Sequence, residues 1–188
     1  MIVDYHVHVF RYPDHFVRDV MLRSQPARRK NWSDEQFKQI WDNPIENYLK
    51  EADGVIDKAI LVGIKAPNTW GINTTNDYLR TVASQYQDKL EWCCCVIPTE
   101  EGAVEEVERC VKLGAIALGE MTPAHSEYYA NDRRCYPVWE MCQELGVPVI
   151  IHAGIGQPAP APMKYGDLNA IDDIAIDFPD LKMVICHM

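Results

Sequence analysis

Two histidines one residue apart, His6 and His8, sit in the opening run Met-Ile-Val-Asp-Tyr-His-Val-His-Val-Phe, and His152 and His187 recur far downstream at the ends of two apolar runs. Imidazoles are the commonest neutral metal ligands and the usual proton carriers near neutral pH, so their placement decides what they can do. The opening run has the β-branched and aromatic content of a buried strand, whose side chains alternate faces. Asp4, His6, His8 and Phe10 are therefore expected on one face, and Val3, Tyr5, Val7 and Val9 on the other. The α-carbons of His6 and His8 then lie roughly 6 to 7 Å apart, which lets both rings reach one cation at about 2.0 to 2.1 Å. Taken alone, such a pair is more often two ordinary histidines satisfied by backbone or water. The two later histidines turn the reading toward a metal.

What must position these residues is an alternation of strands and helices. After the first strand, residues 11–43 form a long segment with Pro13, Pro26 and the basic cluster Arg28-Arg29-Lys30; connections of that length in compact domains are usually functional, so it is expected to lie over the site. Within it, Ser33 is placed to cap a short helix running to Trp41. A helix over 44–52, a strand over 58–64, a loop over 65–71 and a helix over 75–87 follow, then a strand over 91–97. Thr99 is the expected cap of a helix ending at Gly114, and the strand 115–121 carries Glu120 at its end. A helix over 134–145 stops at Gly146 and feeds the strand 147–152; after a Pro- and Gly-rich loop, a helix over 168–178 leads to the strand 182–187. Six strands with helical segments in every connection make an α/β protein with a parallel sheet.

No G-x-G-x-x-G or Walker motif is present, and polar candidates stand at the C-terminal ends of several strands, which favours a (β/α)8 barrel of the TIM type over an open doubly wound sheet. Six strands leave the barrel incomplete, with the last two missing. In a barrel, His6, His8, Glu120, His152 and His187 share one mouth, and several imidazoles beside a carboxylate are the composition of a catalytic metal site.

The 188 residues are most simply one domain. A net charge of -10 argues against nucleic acid as a partner, no apolar stretch has the length of a membrane span, and the start lacks a signal-peptide pattern, so the expected address is the cytoplasm. A small molecule is the expected partner, and homo-oligomerisation is left open. The seven cysteines show no C-x-x-C spacing and read as reduced, mostly buried apolar residues; neighbours in the run Cys93 to Cys95 face opposite sides of a strand and cannot converge on one ion. His15 and His125 fall in loops and read as solvated. Trp70, Lys65, Arg11 and Arg133 are unranked candidates for the mouth.

Four pieces spread over the chain carry a resemblance: Ile2-Val-Asp-Tyr-His-Val-His8, Asn76-Asp77, Leu145-Gly-Val-Pro-Val-Ile-Ile-His-Ala-Gly154 and Phe178-Pro-Asp-Leu-Lys-Met-Val-Ile-Cys-His187. With them the chain resembles the amidohydrolase superfamily, most closely the branch of aminocarboxymuconate semialdehyde decarboxylase-like enzymes. The resemblance implies a distorted (β/α)8 barrel, a divalent metal, usually zinc, held by His6, His8 and His152, and a catalytic role for His187. Glu120 resembles the strand-four glutamate that bridges metals in TatD-type hydrolases, and a role orienting a ligand histidine stays open beside it. Asp4, deeper on the strand, is expected to make structural hydrogen bonds. The family's strand-eight aspartate has no counterpart in residues 1–188; the expectation is a fragment of a longer protein, since the chain stops at His187-Met188 in mid-motif. The activity implied is metal-dependent hydrolysis of a small molecule by activated water. A non-oxidative decarboxylase is the alternative, though several decarboxylases of the branch carry Glu where this chain has His6. An inactive truncated remnant is the third reading.

Overall fold

A computed structural model of the protein describes residues 1–24, 29, 31–154 and 161–187. Arg28 and Lys30 of the basic cluster and residues 155–160 of the Pro- and Gly-rich loop lie outside the described residues.

The main sheet has six parallel strands: β1 (Val3–Val7), β2 (Lys58–Leu61), β3 (Leu90–Cys94), β4 (Ala117–Met121), β5 (Val149–His152) and β6 (Met183–Cys186). Spatial order follows chain order without a reversal, so among the described residues β1 and β6 each have one partner strand. An open doubly wound sheet would have put β1 inside. Here the sheet curls as an incomplete (β/α)8 barrel, and the ends of its two outermost strands approach closely enough for the Cys186 thiol to lie 3.5 Å from His6 Nδ1. The loop expected over 65–71 is bracketed instead by a small separate antiparallel pair, Lys65–Ala66 with Ile72–Asn73.

Helices occupy the crossovers, as parallel pairing demands. The segment 11–43 is less irregular than its prolines suggest, because it holds α1 (Arg18–Ser24) and α2 (Asp34–Trp41), the latter closed by a capping box between Ser33 and Gln36. After α3 (Ile45–Ala52), the helix α4 (Asn76–Gln85) is capped by Thr75. Thr99 caps nothing: turns after Ile97 delay α5 (Ala103–Lys112), whose N-cap is Gly102 in the left-handed region. The short α6 (Pro123–Ser126) follows β4, and α7 (Tyr136–Leu145) ends on left-handed Gly146. The chain then reaches α8 (Leu168–Asp177) before β6.

The two faces of the sheet differ. Ala59, Leu61, Trp92, Cys94, Leu118, Val149 and Ile151 pack outward against the helices in the large core, with Leu79, Val107, Trp139 and Ile174 among their partners. The inner face carries a small cluster of Ile60, Val62, Cys93, Ala117 and Ile150, against which Val184 and Cys186 pack. Cys93 and Cys94 do point to opposite sides, and all three cysteines of that run are buried and unbonded to one another.

Candidate metal centre

On β1, strict alternation fails. Asp4 pairs with Ala59 and Val7 with Leu61, three residues against two, which is a β-bulge. The cause is local: Asp4 Oδ1 accepts the backbone N–H of His6 at 3.2 Å, and Oδ2 accepts the hydroxyl of Tyr48 on α3 at 3.0 Å. A short polar side chain has taken a donor that a regular ladder would use. Asp4 and Val7 thus both face the helices, so Asp4 does not share a face with His6 and His8, contrary to the alternation read from the sequence. Its expected hydrogen-bonding role is the one it has. The bulge turns His6 and His8 to the inner side, where their Nε2 atoms stand 3.1 Å apart.

The same device operates on β4. Leu118 pairs with Val149 and Met121 with Ile151, again three against two, and Glu120 is turned inward between them. Gly119 makes this possible at φ +142, where a Cβ would lie 2.6 Å from the Ile150 carbonyl oxygen. Glu120, 2% exposed, is the hub of the site. Its Oε1 lies 2.7 Å from His152 Nδ1 and 3.2 Å from His187 Nε2, and its Oε2 lies 3.4 Å from His6 Nε2 and 3.5 Å from His8 Nε2. Burial alone would push its carboxyl up; the hydrogen bonds from His152, His6 and His8 outweigh that and hold it far below the usual carboxylate range. One oxygen of Glu120 thus stands against His152 while the other stands beside His6 and His8.

On β5 the ladder to β6 is unbroken from Val149 through His152, and plain alternation from Ile150 delivers His152 to the inner face. His187 follows β6 and by alternation belongs outside. Its backbone is left-handed, φ +61, and the ring returns to the cluster, 4.6 Å from the ring of His152 between centroids and half exposed.

Could these groups hold a metal? His6 Nε2, His8 Nε2 and Glu120 Oε2 form a triangle with sides of 3.1, 3.4 and 3.5 Å. A point about 1.9 Å from all three corners exists, close to the ~2.0 to 2.2 Å bonds of a divalent zinc-like ion. Glu120, His152 and His187 form a second compact donor set, as do His6, Glu120 and Cys186, each within 4.8 Å. His8 is already oriented for ligation, since its Nδ1 lies 3.0 Å from the Val62 carbonyl and donates to it, leaving Nε2 with a lone pair. The donor set fits a borderline divalent ion.

The other candidates are distributed around this centre. Phe10 stacks on His8, and Phe16 and Trp41 of the 11–43 segment close on Phe10 and Phe16 respectively, so an aromatic chain runs from that segment to the ring beside His8. Arg11 pairs with Asp42 at 3.0 Å, Arg133 with Asp177 at 3.8 Å, and Lys65 lies in the antiparallel pair. His15 and His125 are not solvated; both are buried, and burial lowers their pKa, that of His125 to about 4. His15 Nδ1 accepts the Arg11 N–H, while His125 is stacked between Trp70 and the edge of His152. Cys186 is half-buried rather than a core residue and touches His6. Its place before His187 on the inner face is the signal that sequence reading passed over. Among the described residues no helix is long and apolar enough to cross a membrane.

The sequence matches the family described as Amidohydrolase over residues 3–188. No curated protein matches it. Among solved structures, it is similar to an uncharacterized TIM-barrel protein from Bordetella bronchiseptica, at 21% identity and a TM-score of 0.68 over 98% of this chain and 66% of that one. It is also similar to a 4-oxalomesaconate hydratase from Rhodopseudomonas palustris, at 24% identity and a TM-score of 0.61 over 98% and 62%. A third similar structure is a manganese-bound 5-carboxyvanillate decarboxylase from Novosphingobium aromaticivorans, at 16% identity and a TM-score of 0.68 over 98% and 65%. The chain therefore spans somewhat less than two thirds of the length of these proteins.

Proposed function

Because the chain belongs to the amidohydrolase family, we propose that it forms the greater part of a divalent-metal-dependent hydrolase acting on a small molecule, with zinc as the ion and with His6, His8, His152 and Glu120 holding it. The observation that carries this reading is the Nε2, Nε2, Oε2 triangle, whose sides suit ligands of one ion. When bound, such an ion supplies Lewis acidity, acidifying water toward a pKa of ~7 and polarising a substrate carbonyl.

The chain's own residues do the rest. Val62 orients His8 from behind, fixing Nε2 as the nitrogen it presents, and His152 turns Nδ1 to the Glu120 carboxylate beside the triangle. Glu120 also holds His187 through Nε2, and the half-exposed ring is free to carry a proton to or from substrate on the open side. Phe10 and the 11–43 segment wall the flank beside His8. A net charge of -10 argues for a small-molecule substrate over nucleic acid, and seven free cysteines support a cytoplasmic setting.

A second reading, non-oxidative decarboxylation, is favoured by the manganese-bound decarboxylase among the similar structures. Elemental analysis of protein purified without chelator tests the metal: about one zinc per chain is expected. Metal content near zero, unchanged by added zinc, would overturn the reading. With a turned-over substrate in hand, incorporation of oxygen from labelled water marks hydrolysis and release of carbon dioxide marks the second reading.

A further inference from the structure

Two of the imidazoles assigned to the metal, His6 and His8, share a pattern. His8 turns Nε2 toward His6, and its Nδ1 is bound to the Val62 carbonyl at 3.0 Å. His6 turns Nε2 toward His8 and Glu120, so its Nδ1 also faces away from the ion, and there it meets the Cys186 sulfur at 3.5 Å. An imidazole that gives its Nε2 lone pair to a metal carries a proton on Nδ1 and needs an acceptor for it. A backbone carbonyl serves His8. His6 has a thiol.

We infer that Cys186 is the positioning residue of His6: its sulfur accepts the Nδ1–H of His6 and so fixes the ring's tautomer and angle for metal binding. The assignment rests on the proposed metal reading. Three further features agree with it. Cys186 pairs in register with His152, so the strand that carries the acceptor is anchored to the strand that carries another ligand. The thiol packs on the inner face with Val184, outside the helix-covered core, and is placed by the sheet rather than by a loop. The thiol is half-buried, which limits water as a competitor for the His6 Nδ1–H.

The alternative is that Cys186 itself ligates, since its sulfur belongs to a compact donor set with His6 and Glu120. Competitive zinc titration against a chromophoric chelator, with the wild-type chain, Cys186→Ala and Cys186→Ser, together with the absorption spectrum of the cobalt-substituted wild type, separates these. Expected are a zinc affinity about 10- to 100-fold weaker in Cys186→Ala, substantial recovery in Cys186→Ser, whose oxygen is also an acceptor, and no thiolate-to-cobalt charge-transfer band. Equal affinity in wild type and Cys186→Ala overturns the inference while leaving the metal reading intact, and so does a serine variant as weak as the alanine one. A thiolate charge-transfer band makes Cys186 a ligand and overturns it too. Should Cys186→Ala fail to fold, the serine variant and the cobalt spectrum decide. A wild type that binds no zinc overturns the metal reading and this inference with it.

Discussion

The strand β5 and the pair β1 and β4 bring residues to the same cluster by different means. On β5 each residue from Val149 to His152 pairs in turn with β6, and His152 reaches the site because every second side chain faces inward. On β1 and β4 the ladder is broken immediately before the functional residues, and the break reverses the faces. A regular strand places one ligand per two residues on a fixed face. A bulge allows a buried apolar side chain and a polar ligand to exchange faces without moving the rest of the sheet. The site is thus assembled at the irregular ends of two strands against the regular end of a third.

The difference is broken most directly at Gly119. Gly119→Ala brings a Cβ to 2.6 Å from the Ile150 oxygen and 2.7 Å from Ile150 Cβ, at a positive φ that L-residues rarely adopt. Strain and overpacking together cost about 3 kcal/mol or more, so the chain is expected to unfold at markedly lower urea and to lose zinc binding. An alanine variant with native stability would show that β4 does not need this bulge.

The regular strand is tested by His152→Ala. With its backbone pairing intact, the variant is expected to stay folded by circular dichroism and to bind zinc more than about 100-fold more weakly, as loss of a ligand exceeds loss of an orienting partner. His187→Ala, by contrast, is expected to keep zinc affinity within about threefold while losing turnover. Equal zinc loss in the two variants would make His187 a ligand.

Asp4 measures what the bulge on β1 is worth. Asp4→Ala leaves the His6 N–H and the Tyr48 hydroxyl without their acceptor, at a cost of about 1 to 3 kcal/mol, and weakens zinc binding as His6 loses its placement. Asp4→Asn retains one acceptor oxygen and is expected to fall between. Denaturant unfolding and zinc titration of both variants give the two effects separately.

How much of this was legible follows the same division. His152, the helix α2 with its Ser33 cap, the consecutive parallel sheet and the opposed faces of Cys93 and Cys94 obey simple periodicity, and periodicity is visible in a sequence. His6, His8, Glu120 and His187 could be named as members of the site. The face of Asp4, opposite to His6 and His8, and the faces of Glu120 and His187 could not, because the first two depend on side chain and glycine chemistry that overrides alternation and the third on a left-handed residue. The burial of His125 escaped for another reason: its partners Trp70 and His152 come from distant parts of the chain, and stacking at 4.6 Å on Trp70 leaves no trace in local composition.

The smallest expected effect belongs to the regular, helix-covered side. Glu106 on α5 is held down to a pKa of about 2, first by its bond to Arg109 and also by Asn76, whose amide clamps the backbone of Cys95. A lowered folded-state pKa means stability that is present above the ordinary value of 4.5 and lost as pH falls toward about 2. Discounted for its partly solvated pair, that amounts to about 1 kcal/mol. Glu106→Gln is expected to flatten this acid limb of the stability curve and to leave zinc affinity at pH 7 unchanged; a changed affinity would tie the outer face to the site.

The contact between His6 and Cys186 joins residues 180 positions apart, while each strand otherwise pairs with its neighbour in the chain. Nearly all of the sheet can therefore form through contacts of modest sequence separation, whereas the donor cluster brings the first and last strands together. A contact spanning so much of the chain needs the intervening strands in place first, and topology of that kind slows the step that needs it. Zinc capture should then lag the gain of helical signal during refolding. Bound metal would serve as a clock for the last event of folding.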